Sequence, residues 1–195
     1  MRLNGKYTAG RIDRMDYQIH GHNGADIPDG FITEYDLYLF NEGSHHKIYE
    51  KLGAHPMTVN GRAGTHFAVW APNAKGVSLV CNLNRWDGRA HPLKPMGSSG
   101  VWAAFFPDIH PGEVYKYEIR TQSGDIILKA DPYAFCSELR PGTASIVCGL
   151  DTYEWHDDEW IKSRDAGNTF NKPVSIYEVH LGSWARADGN RFLTY

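Results

Sequence analysis

The segment with the most chemical promise is Asn82-Leu-Asn84-Arg-Trp86-Asp87-Gly88. It places an indole between amide and carboxylate side chains where an apolar, strand-like run gives way to a turn. A ring in that setting can be held partly open to solvent. Flat aromatic faces flanked by hydrogen-bonding groups suit the apolar faces of sugars as well as bases, and each stacked ring contributes about 1–3 kcal/mol by analogy with base stacking. Trp86, Asn84 and Asp87 are therefore candidate ligand contacts. Lys116, on the polar side of a nearby alternating run, is a candidate donor to a hydroxyl group. The plain alternative is that Trp86 folds back as a lid on the core edge and Lys116 is simply solvated.

Other chemistry finds no foothold. There is no G-x-G-x-x-G, G-x-x-x-x-G-K or G-x-S-x-G signature, and Gly97-Ser-Ser-Gly100 reads as a turn. The ten histidines, including His20-Gly-His22 and His45-His46, lack metal-ligand spacing, so neither metal nor cofactor is expected. Asp157 and Asp158 suit a helix start better than a catalytic pair. The formal charge of −3 with mixed signs argues against nucleic acid or an anionic membrane as partner. No run nears the roughly 18 apolar residues of a membrane span, and the first residues lack the apolar core of a signal peptide. The cysteines, Cys81, Cys136 and Cys148, are three, so they cannot all pair within the chain. None forms a C-x-x-C pair, and they read as small buried thiols in a reducing cytoplasm.

The elements that position the candidate loop follow from periodicity. Residues 1–33, rich in Gly, Asn, Asp and His, read as an irregular leader. Residues 34–57 form a short strand/helix lead-in: a strand-like apolar run EYDLYLF, a turn at Asn41-Glu42-Gly43, and a short helix HHKIYEKL capped by Ser44 and stopped at Gly53. Over residues 58–150 short apolar runs alternate with turn clusters PNAKG, PDIHPGE and QSGD. Val114, Lys116, Glu118 and Arg120 alternate with Tyr115, Tyr117, Ile119 and Thr121, and Val77, Leu79, Cys81 and Leu83 share one face. About six or seven such strands make an immunoglobulin-like antiparallel β-sandwich, so the fold class is mainly β. Residues 151–172 hold a short acid-started, base-ended helix and a linker. Residues 173–195 open a new strand-like run, VSIYEVHLGSW.

Taken together, YEKLGAH, GTHFAVWAPNAKGVSLV, NRWDGRAHP, YKYEI, LKADPYAF, RPGTAS and SIYEVHLGSW resemble the front of the bacterial glycogen branching enzymes, members of the α-amylase superfamily. The resemblance covers about residues 35–195. It implies a family-48 carbohydrate-binding module near 58–150 and the first strand of a (β/α)8 catalytic barrel at 173–182. The barrel is left incomplete, and the chain is expected to be an N-terminal piece. It implies an α-1,4-glucan such as glycogen as partner, a cytoplasmic location, and a retaining transfer that forms α-1,6 branches through two closely spaced carboxyl groups, without a cofactor. The family's catalytic carboxylates lie on later barrel strands. No catalytic residue is expected here, Glu178 and His180 included, and the piece alone is expected to be inactive. A stand-alone glucan-binding module, or a domain that merely packs on a barrel, are the alternatives. Family members commonly carry Gly and Phe where this chain has Cys81 and Leu83, just before the candidate loop.

Overall fold

The computed structural model describes residues 27–150, 153–167, 171 and 173–193. It divides into two units, Met1–Thr152 and Tyr153–Tyr195. The expectation for the leader over residues 1–26 lies outside the described residues.

The first unit is a β-sandwich. One sheet orders its strands β1-β2-β5-β4, namely Gly53–Val59, Arg62–Trp70, Val101–Pro107 and Lys94–Pro95. The other orders β3-β6-β9-β8, namely Gly76–Cys81, Val114–Arg120, Ser145–Ile146 and Cys136–Ser137, with β7, Ile126–Lys129, also paired to β6. All the pairings are antiparallel. Alternation decides what each strand buries: Phe67, Val69, Ala104 and Phe106 from one sheet meet Val77, Leu79, Cys81, Tyr115 and Tyr117 from the other in the central core. The expected alternation of β6 holds, with Tyr115 and Tyr117 fully buried. The expected face of β3 holds through Cys81, but the strand ends there and Leu83 is 55% exposed. Burial pushes the Cys81 thiol up, and its backbone avoids the left-handed region, so a side chain is accommodated there.

Two phenols and a carboxylate share the interior. Asp131 Oδ2 accepts from Tyr115 at 2.7 Å and Tyr117 at 3.2 Å, and Oδ1 accepts from the Tyr133 amide at 2.8 Å. Burial raises the Asp131 pKa even against these bonds, which favour the charged form.

The lead-in departs from expectation. The run EYDLYLF is not extended: it lies in α1, Glu34–Glu42, started by Thr33 and stopped by Gly43 at φ 88°. Thr33 Oγ1 accepts from the Asp36 amide at 3.1 Å while Asp36 Oδ2 accepts from the Thr33 amide at 2.8 Å, a reciprocal cap that outweighs the apolar pattern. The expected helix after Ser44 shrinks to one 3₁₀ turn, Ile48–Glu50, because the Ser44 hydroxyl donates to Glu42 Oε2 rather than capping forward. Strand β1 was not foreseen. It is joined to β2 through Asn60-Gly61, whose φ values of 49° and 75° fit a tight hairpin turn. Residues 27–33 are irregular, yet they bury Phe31 and Ile32.

The lead-in covers the outer face of the β1-β2-β5-β4 sheet. Phe31, Ile32 and Leu52 pack with Ala68, Val101 and Ala103, which alternate with the central-core residues of their strands. Strands β2 and β5 are therefore buried on both faces. His66 lies in this second layer, fully buried, opposite His55 in the ladder and 4.7 Å edge-on from Phe31. Neither ring nitrogen of His66 meets a hydrogen-bond partner among the described residues, and burial holds its pKa down at about 3.

The expectation of three separate buried thiols is corrected. Cys136 and Cys148 form a disulfide with Cα atoms 6.0 Å apart, both half-buried, and only Cys81 is a free, buried thiol among the described residues. Flanking a β8–β9 ladder brings together two cysteines that sequence spacing alone does not pair.

The second unit holds α2, Asp158–Ala166, with the expected acids in its first turn and Arg164 in its last. The run over 173–180 is not a strand, contrary to expectation, and Ile176 is 88% exposed. Its alternation is intact, but among the described residues of this unit no strand pairs with it to supply a ladder for its amides and carbonyls. A short helix α3, Leu181–Trp184, follows. The unit closes with a small hairpin, β10 Arg186–Ala187 and β11 Arg191–Phe192, in which the Arg186 guanidinium sits 3.6 Å over the Phe192 ring.

Candidate functional site

The loop after β3 is organised by its own backbone. The Cys81 carbonyl accepts from the Trp86 amide at 2.9 Å, and the Asn82 carbonyl from Arg85 at 3.0 Å. Arg85 and Trp86 sit at φ 55° and 61°, in the left-handed region that residues with side chains rarely adopt. The indole is fixed at one edge, where Trp86 Nε1 donates to Asn82 Oδ1 at 3.0 Å. Trp86 is 38% exposed.

Asn84, expected beside Trp86 as a ligand contact, turns inward instead. Its Oδ1 accepts from the Cys81 amide at 2.9 Å, and Nδ2 lies 2.8 Å from the Leu79 carbonyl and 2.7 Å from His91 Nδ1. Both amide protons are engaged, so Asn84 shapes the loop. Asp87 is gripped by Arg89, whose Nε and Nη2 donate to the carboxylate at 2.9 and 2.7 Å. These bonds hold the Asp87 pKa at about 2, so the group is ionised at neutral pH.

The loop and Lys116 share the outer face of the β3–β6 pair. A side chain at Gly88 would strike the Glu118 carboxylate, so the loop lies against that outward residue of β6. Val80 points away from the central core by alternation and lies opposite Lys116 in the ladder, yet it is fully buried. The outer face at this point is therefore covered. Lys116 Nζ donates to Thr143 Oγ1 at 2.7 Å, leaving it with further protons to offer. A cleft of about 320 Å³ adjoins the loop, lined by Ser78, Gly88, Arg89, Glu118 and Arg120.

Gly88, two residues after Trp86, thus lies against the outer face of β6 that also carries Lys116, Asp87 is held in an ion pair with Arg89, and Asn84 is turned to the loop backbone. Asn82 and Thr143, which hold the two outward groups, were missed. An Asn opening a turn carries a weak signal, and nothing local in RPGTAS marks Thr143. The arrangement offers a ring face, an ammonium and exposed ion-paired polar groups. Among the described residues no group of three His, Cys, Asp or Glu side chains is placed to hold a metal ion.

Residues 51–134 match the family described as carbohydrate-binding module 48 (isoamylase N-terminal domain). That span contains Asn84, Trp86, Asp87 and Lys116. The 1,4-alpha-glucan branching enzyme GlgB of Synechococcus sp. (strain JA-3-3Ab) is 55% identical in an alignment that covers 84% of this chain and 24% of that protein. GlgB of Synechococcus sp. (strain JA-2-3B'a(2-13)) is 58% identical over 80% of this chain and 20% of its own. GlgB of Rubrobacter xylanophilus is 47% identical over 98% of this chain and 26% of its own. The chain thus spans about a quarter of the length of these curated relatives. Among solved structures, ligand-free PulA from Klebsiella pneumoniae is similar over 51% of this chain and 10% of that one, at 30% identity and a TM-score of 0.41.

Proposed function

Because the chain belongs to the 1,4-alpha-glucan branching enzyme family over the segment it shares with those relatives, we propose that its sandwich holds an α-1,4-glucan on the Trp86 face for a branching reaction. The observation that carries this reading is the partly exposed Trp86 ring, fixed at its Nε1 edge by Asn82. A pyranose ring stacks its apolar C–H face on such an indole, and the Lys116 ammonium on the same sheet face donates to a sugar hydroxyl.

In this reading the chemistry itself lies elsewhere. Cutting an α-1,4 bond and moving the released segment to a 6-hydroxyl with retention needs a carboxylate nucleophile and a second carboxyl group about 5–5.5 Å away. Residues 27–193 contribute grip, not bond making, and the stretch at 173–182 is the entry to the barrel that carries those carboxyls. A cytoplasmic location is part of the same proposal.

The test is mobility in native gels containing glycogen. The chain is retarded, and Trp86→Ala weakens the apparent affinity at least fivefold, as expected for one lost stacking ring. Lys116→Met has a smaller effect of the same sign. Amylose incubated with the chain shows no change in iodine staining. Retardation that is absent, or unchanged in Trp86→Ala, overturns the proposal.

A further inference from the structure

The Cys136–Cys148 disulfide has no part in the glucan contact described above, yet it closes the hairpin that holds one of its groups. Strands β8 and β9 are two residues each, and their register sets Cys136 opposite Ile146 and Ser137 opposite Ser145. Cys148 lies two residues beyond Ile146, past the end of β9, and its sulfur is bonded to that of Cys136. At the hairpin tip, Glu138 Oε2 accepts from the amides of Thr143 at 3.1 Å and Ala144 at 2.8 Å. Thr143 in turn accepts from Lys116 Nζ at 2.7 Å. A continuous path therefore runs from the Cys136 sulfur through Glu138 and Thr143 to the ammonium group on the Trp86 face.

The path has one covalent anchor and a weak base. Two ladder pairs join β8 to β9, β9 is itself paired to β6, and the disulfide closes the 12-residue separation of the two cysteines. Both residues are half-buried, within reach of a small thiol, whereas Cys81 is fully buried and is not. Disulfides in compartments buffered by thiols are usually transient rather than structural.

We infer that Cys136 and Cys148 form a reversible redox clasp that sets how firmly Lys116 is held on the glucan-binding face. The function of the clasp rests on the glucan reading proposed above. In the closing step two cysteine thiols exchange with a small disulfide such as oxidised glutathione. The protein S–S bond forms, the glutathione S–S bond breaks, and two glutathione thiols leave with the two electrons and two protons given up by the protein. A dithiol reductant runs the step backwards. With the clasp open, the hairpin keeps its ladder pairs, the Glu138 bonds and the pairing of β9 to β6 but loses its covalent tie, so that Thr143 is less firmly placed and holds Lys116 less firmly.

The experiment equilibrates the whole chain in glutathione buffers of graded ratio, then reads thiol content by alkylation and intact mass, with peptide mapping of the linkage. The same samples run in glycogen-containing native gels beside the Cys136→Ser/Cys148→Ser double variant. Oxidised chain is expected two hydrogens lighter, linked at 136–148, and about fivefold tighter on glycogen than reduced chain, the lower end of usual coupling between linked sites. The double variant is expected to match reduced chain in every buffer. Failure of the 136–148 link to form at any glutathione ratio overturns the inference. Equal retardation of oxidised and reduced chain also overturns it while leaving the glucan reading intact. No retardation in either state removes the glucan reading, and the clasp's function with it. The comparison of oxidised with reduced wild-type chain decides the matter even if the double variant does not fold.

Discussion

The two sheets of the sandwich treat their outer faces in opposite ways. The outer face of the β1-β2-β5-β4 sheet is apolar and roofed by Phe31, Ile32, Leu52 and the α1 lead-in, which seals His66 beneath it. The outer face of the β3–β6 pair carries Ser78, Lys116, Glu118 and Arg120 and is met by a polar loop in which Trp86 stays partly exposed. The first face is governed by burial and its energetics are those of a core. The second is governed by hydrogen bonds within a turn and tolerates exposed, charged groups. A buried face contributes stability and hides its chemistry. A scaffolded face contributes little stability and presents it.

That contrast can be broken at four points. The largest effect belongs to Phe31→Ala, expected to lower unfolding stability by about 3 kcal/mol in urea titration, since it empties the roof of the first face. A loss under 1 kcal/mol would show that the lead-in is not part of the core. Next comes acid. Burial lowers the His66 pKa from 6.5 to about 3, so the folded state requires the neutral ring. His55, opposite it, is depressed in the same direction, and Lys51 is the nearby cation that adds to the effect. The His66 contribution is whole above about pH 6.5. It falls by about 1.4 kcal/mol per pH unit as pH drops toward 3. Urea midpoints measured between pH 4.5 and 7.5 should show this slope in the wild type and a flatter one in His66→Leu. Equal slopes would remove His66 from the account.

On the other face, Asn84→Ala should cost about 1–2 kcal/mol in the same titration, because it strands the Cys81 amide and the Leu79 carbonyl. It should also weaken glycogen retardation indirectly. Unchanged stability with lost retardation would return Asn84 to the role of a direct contact. The smallest effect is Thr33→Ala, about 1 kcal/mol for the lost cap of α1, read from the thermal midpoint.

Much of this was legible in the residues, and the exceptions have physical causes. The β6 alternation could be read because one face of that strand is buried and the other wet. The lead-in misled because EYDLYLF is apolar enough for a strand, while the deciding signal was the short-range Thr33–Asp36 cap. Strand β1 escaped notice because Pro56 sits inside it, which an edge strand tolerates, although Asn60-Gly61 marked the hairpin. At the site, Trp86 and Lys116 stood out as residue types on polar ground. The inward turn of Asn84 depended on loop closure, and the Thr143 and Cys148 partnerships depend on a ladder between distant segments. Composition encodes none of these. The 173–180 run carries a strand pattern without a strand, since pattern supplies the side chains and a neighbouring strand supplies the ladder.

The left-handed pair Arg85–Trp86 carries a last consequence. A loop already bent, with its indole edge tied to Asn82 and its base tied through Asn84, has little conformational freedom left to surrender when something docks. Such a loop behaves as a fixed caliper. It rewards partners whose own curvature already matches the ring, and it penalises straight or differently coiled ones that must deform to meet it.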